Sequence, residues 1–260
     1  MEAQDISDRG LSHALRSIAE VLESREQRGR ANSHERRRVV ATQKLLEGAS
    51  SDATLLHYNL DSFHLGLVVA GRELARPLKN AQRRSGSRLL LIEPYPDFVW
   101  LWLGGSREST LRDLECLLEL ELPAHTFLAY GEPAQGLDGW RLTHRQAVAA
   151  LPVAQRHPSQ VARYVRDALT AAVLQDDVLA SSLRQAYLEP LEDGRDGGHT
   201  AKTTLRAYFR AAHNASSAAS ALGVNRGTVS NRLRAIEGRL GQPLEAVSAE
   251  LEVALRLDAL

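Results

Sequence analysis

The chain has 260 residues, with 32 basic and 32 acidic side chains, so its formal net charge is zero and charge alone gives no argument for nucleic-acid binding. The single cysteine, Cys116, excludes an intramolecular disulfide and suits a reducing compartment. The polar N-terminus lacks the basic-then-apolar plan of a signal peptide, and the longest apolar runs are too short to span a bilayer. These features predict a cytoplasmic protein with no membrane partner.

Residues 1–50 are predicted to form a helical N-terminal segment. Four apolar residues recur at helical spacing and form one stripe, namely Leu11, Leu15, Ile18 and Leu22. A stripe this apolar needs a covering surface, so the segment is expected to dimerise or to pack against the next domain. A Gly48-Ala49-Ser50-Ser51 break follows it.

Residues 51–170 mix short strands with helices in an order that predicts an α/β sandwich. The predicted strands are Leu65–Ala70, Arg88–Glu93, Phe98–Leu103, Thr126–Tyr130 and Val161–Val165. The predicted helices are Arg72–Arg84, Ser109–Leu120 and Thr143–Arg156. The second and third strands are joined through Pro94–Asp97, which predicts a hairpin. The glycine-rich stretch Gly131–Trp140 is predicted as a structured loop, because it lacks the Gly-Lys-Ser/Thr ending of a phosphate loop.

Residues 171–199 are predicted to be a connecting helix and a linker. The helical pattern runs over Leu169–Leu191, and the glycines and alternating charges of Glu192–Gly198 cannot form a core. Residues 200–260 are predicted to be an all-helical unit. The expected fold class is therefore α+β/α, with a helical N-terminal segment, an α/β sandwich and a C-terminal all-α domain.

The segment Asn214–Leu233 predicts a helix-turn-helix. Ser216 is expected to cap a short helix, Gly223 to end it in the left-handed conformation, and Asn225 to cap a second helix. The buried stripe of the second helix is predicted to be Val229, Leu233, Ile236 and Leu240. The opposite face carries small polar residues and arginine, as a recognition helix in a major groove requires.

Local charge supports DNA binding by this unit. From Lys202 to Gln242 the sequence has seven Lys or Arg residues and one acidic residue, Glu237. Arg232 is expected either to contact phosphate or to pair with Glu237, and hydroxyls and helix N-termini can also hold phosphate oxygens. The candidate DNA-binding residues are Ser216, Ser217, Asn225, Arg226, Thr228, Ser230, Asn231, Arg232 and Arg234.

The C-terminal segment resembles the helix-turn-helix of the PucR/CdaR family of bacterial regulators. The matching residues are Thr204–Tyr208, Ala218-Ala219, Leu222-Gly223-Val224, Thr228–Leu233, Ile236, Gly241, Leu244, Leu251 and Ala254–Leu257. The sequence departs from the family pattern at Asn225, where His is frequent, and at Gly227, where a polar residue is usual. Gly227 weakens the start of the second helix and removes one possible base contact.

The middle region more loosely resembles the GGDEF-like domain that precedes this helix-turn-helix in the same family. Trp100–Gly105 is assigned to the hairpin position, and Ala129-Tyr130-Gly131 to a following strand. The resemblance implies a transcriptional regulator that binds double-stranded DNA, with a GGDEF-like domain for sensing or dimerisation and an unknown small-molecule effector. A homodimer is expected, because one recognition helix contacts few base pairs.

Enzymatic chemistry is not predicted. A diguanylate cyclase needs acidic residues after its glycine pair to hold metal ions, whereas Gly104-Gly105 is followed by Ser106-Arg107-Glu108. No catalytic residue, metal site or cofactor is expected, and Cys116 is expected in the core of an apolar helix face. Two other hypotheses stay open, a protein-interaction adaptor on the same fold and, less favoured, a cyclic-dinucleotide enzyme.

Overall fold

A computed structural model describes residues 33–74, 77–80, 89–192 and 196–260. The chain divides into two units, residues 1–56 and 57–260. In the first unit, helix α1 spans Ser33–Leu46 and a 3-10 turn spans Ala53–Leu56. Helix α1 confirms part of the predicted N-terminal helical segment, whereas the predicted apolar stripe from Leu11 to Leu22 lies outside the described residues.

The second unit contains a six-stranded sheet. Its strands are β1 (Phe63–Ala70), β2 (Leu89–Tyr95), β3 (Phe98–Gly105), β4 (Phe127–Tyr130), β5 (Ala134–Gln135) and β6 (Val161–Arg163). The order is β2-β3-β1-β4-β6, and β5 also pairs with β1. All pairs are antiparallel except β4 with β6. The β2–β3 hairpin confirms the predicted hairpin, and β1 is buried along nearly its whole length because it lies in the middle.

Helices cover both faces of this sheet. One face packs against α2 (Arg107–Leu118) and a helical turn at 77–80, and the other against α3 (Gly136–Ala154) and α4 (Tyr164–Val173). Along β1, Leu67 belongs to the first core and Val68 to the second, as the alternation of side chains in a strand requires. The predicted α/β sandwich is confirmed.

The glycine-rich stretch Gly131–Trp140 is not the predicted loop throughout. Helix α3 begins at Gly136, whose φ is +72°, and it already contains the fully buried Trp140. Gly139 lies against the preceding strand, since a Cβ there would be 2.6 Å from the carbonyl carbon of Ala134. The glycines therefore allow a turn and a close contact, which a composition-based prediction of a loop cannot distinguish.

Two further predictions are wrong in detail. Tyr164 and Val165 belong to helix α4 rather than to the strand before it. The helix predicted over Leu169–Leu191 is broken, because the Asp176 side chain accepts hydrogen bonds from the Val178 and Leu179 amides and starts a new helix. That region consists of the end of α4, then α5 (Asp177–Leu183), a π-helical turn (Arg184–Leu188) and α6 (Glu189–Glu192).

Two side-chain and boundary predictions in the sandwich are also corrected. Cys116 is exposed rather than in the core, because the buried face of α2 is formed by Thr110, Leu114 and Leu117. In the helix predicted over Arg72–Arg84, residues 72–74 are not helical, residues 77–80 are, and 81–84 lie outside the described residues.

The C-terminal part is all-helical, as predicted. It comprises α7 (His199–Arg210), α8 (Ala215–Leu222), α9 (Arg226–Leu240), a 3-10 turn (Leu244–Ala246) and α10 (Ser248–Leu257). Its core joins Leu205, Ile236 and Leu251 with Leu188 and Leu191 from the preceding helices. The segment predicted as a connector thus shares a hydrophobic core with the C-terminal helices. In the part of the chain that the structure describes, no helix is long and apolar enough to cross a membrane.

Candidate nucleic-acid interface

The first helix of the α8–α9 pair is capped by Asn214. Its Oδ1 accepts hydrogen bonds from the amides of Ser216 and Ser217, both at 3.0 Å. The prediction that Ser216 is the cap is wrong, because Asn214 stands two residues earlier and Asn is at least as good an N-cap as Ser. Ser216 and Ser217 instead lie in the first turn of α8, where both are exposed.

The turn between α8 and α9 follows the sequence prediction. Gly223 has a φ of +65° and its amide donates to the Ser220 carbonyl, while the Val224 amide donates to the Ala219 carbonyl at 3.0 Å. These two bonds close the end of α8 in a Schellman motif. Val224 also packs against the cluster of Ala218, Ala219 and Val229, which fixes the direction in which α9 leaves the turn.

Asn225 caps α9, as predicted. Its Oδ1 accepts a hydrogen bond from the Thr228 amide at 2.7 Å and another from the Thr228 hydroxyl at 3.0 Å. Thr228 is half-buried, and its hydroxyl is already directed to the cap. Both candidate DNA-binding residues therefore hold the N-terminus of α9 together.

Replacing Asn225 with alanine should lower the free energy of unfolding by about 1 kcal/mol, because the Thr228 amide loses its acceptor. Urea denaturation measures the change. Asn225→Asp is the matched control, since it keeps the Oδ1 acceptor and should remain near the stability of the parent. An alanine variant as stable as the aspartate variant would show that the cap contributes nothing.

Helix α9 presents one exposed stripe on the side away from its buried residues. Gly227, Asn231, Arg234 and Gly238 recur at helical spacing, and all four are exposed. The Arg234 guanidinium donates to Oδ1 of Asn231 at 3.2 Å, so their polar ends lie together. Arg226 is exposed in the first turn, and Ser230 is half-buried beside the stripe. We call Gly227, Asn231, Arg234 and Gly238 the α9 stripe.

Arg232 lies apart from the α9 stripe. It is half-buried, and its Nη1 contacts Oγ1 of the buried Thr204 at 3.4 Å. The predicted pair with Glu237 is wrong, because Glu237 accepts the Leu244 amide at 3.1 Å instead. Residues five apart do not share a helix face, whereas residues three or four apart do.

Part of the positive charge of the C-terminal helical part is used in ion pairs within the protein. Lys202 is buried and its Nζ lies 2.9 Å from both Oε1 of Glu192 and Oδ1 of Asp258. Arg206 Nη2 lies 2.7 Å from Oδ2 of Asp258. Burial alone would raise the pKa of Asp258, but Lys202 and then Arg206 lower it below its ordinary value. The basic patch is therefore smaller than a count of residues 202–242 implies.

Of the remaining basic residues, Arg239 Nη1 donates to the Leu191 carbonyl at 3.1 Å. Arg210, Arg226 and Arg234 are exposed. Sequence reasoning missed the two acids because Glu192 and Asp258 stand 10 and 56 residues from Lys202. No local spacing rule could have found them.

The glycine pair of the sheet domain is not at the hairpin turn. The turn of β2–β3 is at Pro96-Asp97, whereas Gly104 and Gly105 are the last two residues of β3, and Gly104 pairs with His64 of β1. The prediction that Trp100–Gly105 occupies the hairpin position is therefore wrong for the glycines. They sit at the far end of β3, where Ser106 directly caps α2 by accepting the Ser109 amide.

Gly104 makes room for a tyrosine that sequence reasoning did not single out. A Cβ on Gly104 would lie 2.6 Å from Oη of Tyr58. His64 Nε2 lies 2.9 Å from the Leu60 carbonyl and must donate to it, so Nδ1 accepts the Tyr58 hydroxyl, also at 2.9 Å. Burial lowers the pKa of His64, which keeps this ring neutral.

Metal-ligand side chains do not gather within the described ranges, where no group of three or more His, Cys, Asp or Glu residues could hold a metal ion.

The chain is a helix-turn-helix protein, because both helices of the motif are capped and one face of the second helix is exposed. The motif follows an α/β sandwich along the chain. The model of the PucR C-terminal helix-turn-helix domain matches residues 202–258, and that of the GGDEF-like domain matches residues 41–153. The two matches have the order that the sequence predicts. The chain belongs to the PucR/CdaR family of transcriptional regulators.

Among solved structures, the chain is similar to the crystal structure of a regulator of polyketide synthase expression from Bifidobacterium adolescentis. The two are 18% identical, the similarity covers 89% of this chain and 94% of that chain, and the TM-score is 0.41. The comparison with curated proteins gives no match.

Proposed function

We propose that this chain is a sequence-specific DNA-binding transcriptional regulator of the PucR/CdaR type that reads double-stranded DNA with the α9 stripe. The exposure of Asn231 and Arg234 between two glycines is the observation that carries this proposal. Asn can bond adenine and Arg can bond guanine, each through two hydrogen bonds in the major groove. The glycines at each end of the stripe leave space for the helix backbone to approach the groove closely.

The other candidate residues have supporting roles in this proposal. Arg226, Ser216 and Ser217 lie exposed in the first turns of α9 and α8, where a helix N-terminus attracts phosphate. Asn225, Thr228 and Arg232 act mainly by holding α9 in position, since each bonds another group of the chain. Ser230 borders the α9 stripe and is within reach of the same groove.

The protein is proposed to act as a homodimer in the cytoplasm, because two recognition helices on two half-sites give the contact area that one lacks. The GGDEF-like domain is proposed to serve sensing or dimerisation and to lack enzymatic activity. The packing of Gly104 on Tyr58 supports the proposed lack of enzymatic activity, because a side chain of the protein already fills the space beside that glycine. A metal-dependent cyclase would instead need acids there.

Selection of bound fragments from the source genome would test DNA binding and identify the operator in one experiment. Binding to the operator and to random duplex is then compared at several salt concentrations, because phosphate contacts give a steep salt dependence. If neither DNA binds with such a dependence, the protein-interaction adaptor becomes the better hypothesis.

Asn231→Ala and Arg234→Ala should each reduce discrimination between the operator and random duplex by about 1–3 kcal/mol, because each removes a donor to a base edge. Arg226→Ala should weaken binding to both DNAs alike, as loss of a phosphate contact does. The slope of log affinity against log salt concentration should fall by about one. The measurement is fluorescence anisotropy with both duplexes at each salt concentration.

The matched control is Arg112→Ala, which removes an exposed arginine from α2 in the sheet domain and should change neither affinity. Circular dichroism checks that every variant is folded. Folded Asn231 and Arg234 variants that discriminate as well as the parent would show that α9 does not read the sequence.

A further inference from the structure

A cleft of about 400 Å³ lies between the sheet domain and the C-terminal helices of the second unit. Helices α3 and α4 form one wall through Val153 and Arg166, and helices α7 and α10 form the other through Arg206, Arg210 and Arg256. Its volume is in the range of sites that hold small organic molecules. The cleft is therefore large enough for a ligand and is lined by both parts of the unit.

Most of the arginines in this cleft already have acidic partners. Arg166 bonds both oxygens of Asp167 at 3.0 Å, and Arg256 pairs with Glu252. Both acids line the cleft and neutralise these two arginines locally. The other two arginines of the cleft, Arg206 and Arg210, both belong to α7.

Arg206 and Arg210 stand one turn apart on α7 and retain unused hydrogen-bond donors. Arg206 pairs with Asp258 through Nη2, but its buried Nε has no partner among the described atoms. Arg210 is exposed and takes part in none of the ion pairs found in the described ranges. Because Arg206 shares Asp258 with Lys202 and Arg210 has no acidic partner in the described ranges, this side of the cleft keeps positive charge that favours an anion.

The cleft lies on the side of α7 that faces away from the recognition helix. Arg206, Phe209 and Arg210 line it, whereas Ala207 and Tyr208 pack on the opposite side of α7 with the core of α8 and α9. A molecule in the cleft therefore does not compete for the α9 stripe.

We propose that this cleft binds a small organic carboxylate with an apolar body. Its carboxylate accepts hydrogen bonds from Arg206 and Arg210, and its body packs against Phe209, Val153 and Leu255. Arg can bind a carboxylate through two parallel hydrogen bonds, which favours this anion. The bound molecule is placed to change DNA affinity through α7, a consequence that rests on the proposed function, whereas binding itself does not.

The test uses the full chain in the absence of DNA, with benzoate as the probe. Binding of benzoate is followed by calorimetry and by the amide NMR shifts of α7. Benzoate should bind saturably, and Arg210→Gln should weaken it at least tenfold. The matched control Arg145→Gln, an exposed arginine of α3 outside the cleft, should leave the affinity unchanged. Benzamide, which has the same shape without the charge, should bind at least tenfold more weakly than benzoate.

Three results would overturn the proposal. They are equal binding of benzoate and benzamide, an Arg210→Gln variant that binds benzoate like the parent, and inorganic phosphate binding as tightly as benzoate. The last result would assign the cleft to inorganic anions. Because the titration contains no DNA, failure of the ligand site and failure of DNA binding are observed separately.

Discussion

Replacing Gly66 with alanine should destabilise the second unit by about 3 kcal/mol or more, because the added methyl group has no space. A Cβ at this position in β1 would lie 2.8 Å from the amide nitrogen of His144 and 2.9 Å from the carbonyl carbon of Thr143. Both atoms belong to the backbone of α3 and cannot rotate away. The Gly66 amide also donates to Oγ1 of Thr143 at 2.7 Å, which holds the helix close to the sheet.

Urea denaturation followed by tryptophan fluorescence measures this loss, since Trp102 and Trp140 are fully buried in the same domain. Gly238→Ala is the matched control, and it is expected to raise the free energy of unfolding rather than lower it. A Cβ on Gly238 meets nothing within 4 Å, and alanine in an exposed helix should raise the free energy of unfolding by about 0.5–1 kcal/mol. A Gly66 variant as stable as the parent would show that α3 can move away from β1 at little cost.

Gly66 also illustrates which parts of the fold the sequence predicts. The apolar run of β1 and the β2–β3 hairpin were predictable, because burial and turn residues leave local patterns. The start of α3 at Gly136 was not, because glycines that allow a turn or a close contact, such as Gly136 and Gly139, resemble glycines in a loop. The close contact at Gly66 was not predictable either, because its partner atoms in Thr143 and His144 stand far away along the chain.

The candidate interface divides in the same way. Gly223 and Asn225 follow local capping rules, so their roles could be predicted from spacing alone. The roles of Lys202 and Arg206 could not, because their acidic partner Asp258 approaches only through the packing of α7 against α10. Charge counting therefore overestimates the surface that is available to DNA, whereas helical periodicity places the α9 stripe correctly on an exposed face.

Burial of His144 makes the stability of the second unit depend on pH. It is 5% exposed, and its ring lies 5.0 Å from Trp102 and 4.8 Å from Trp100, measured between ring centroids. Its Nδ1 has no hydrogen-bond partner among the described atoms. Burial lowers the pKa of His144 to about 3, whereas in an unfolded chain it is about 6.5. The folded protein therefore holds this ring in its neutral form.

Between pH 6.5 and pH 3 the unfolded chain binds a proton at His144 that the folded chain does not bind. The contribution of the neutral ring is complete above pH 6.5, and stability falls as the pH drops below it, at up to about 1.4 kcal/mol per pH unit. Between pH 7 and pH 5 this residue should lower the free energy of unfolding by about 2 kcal/mol. Urea denaturation at the two pH values measures the loss.

His144→Phe keeps an aromatic ring beside Trp102 and removes the titrating group, so its stability should fall about 2 kcal/mol less than that of the parent over the same interval. His64, whose pKa is also lowered by burial, is present in both proteins and cancels in the difference. The comparison uses only the change with pH, so a constant packing penalty from the larger ring does not affect it. Identical losses in the two proteins would mean that His144 accepts a proton as readily in the folded state as in the unfolded chain, and that water reaches its ring.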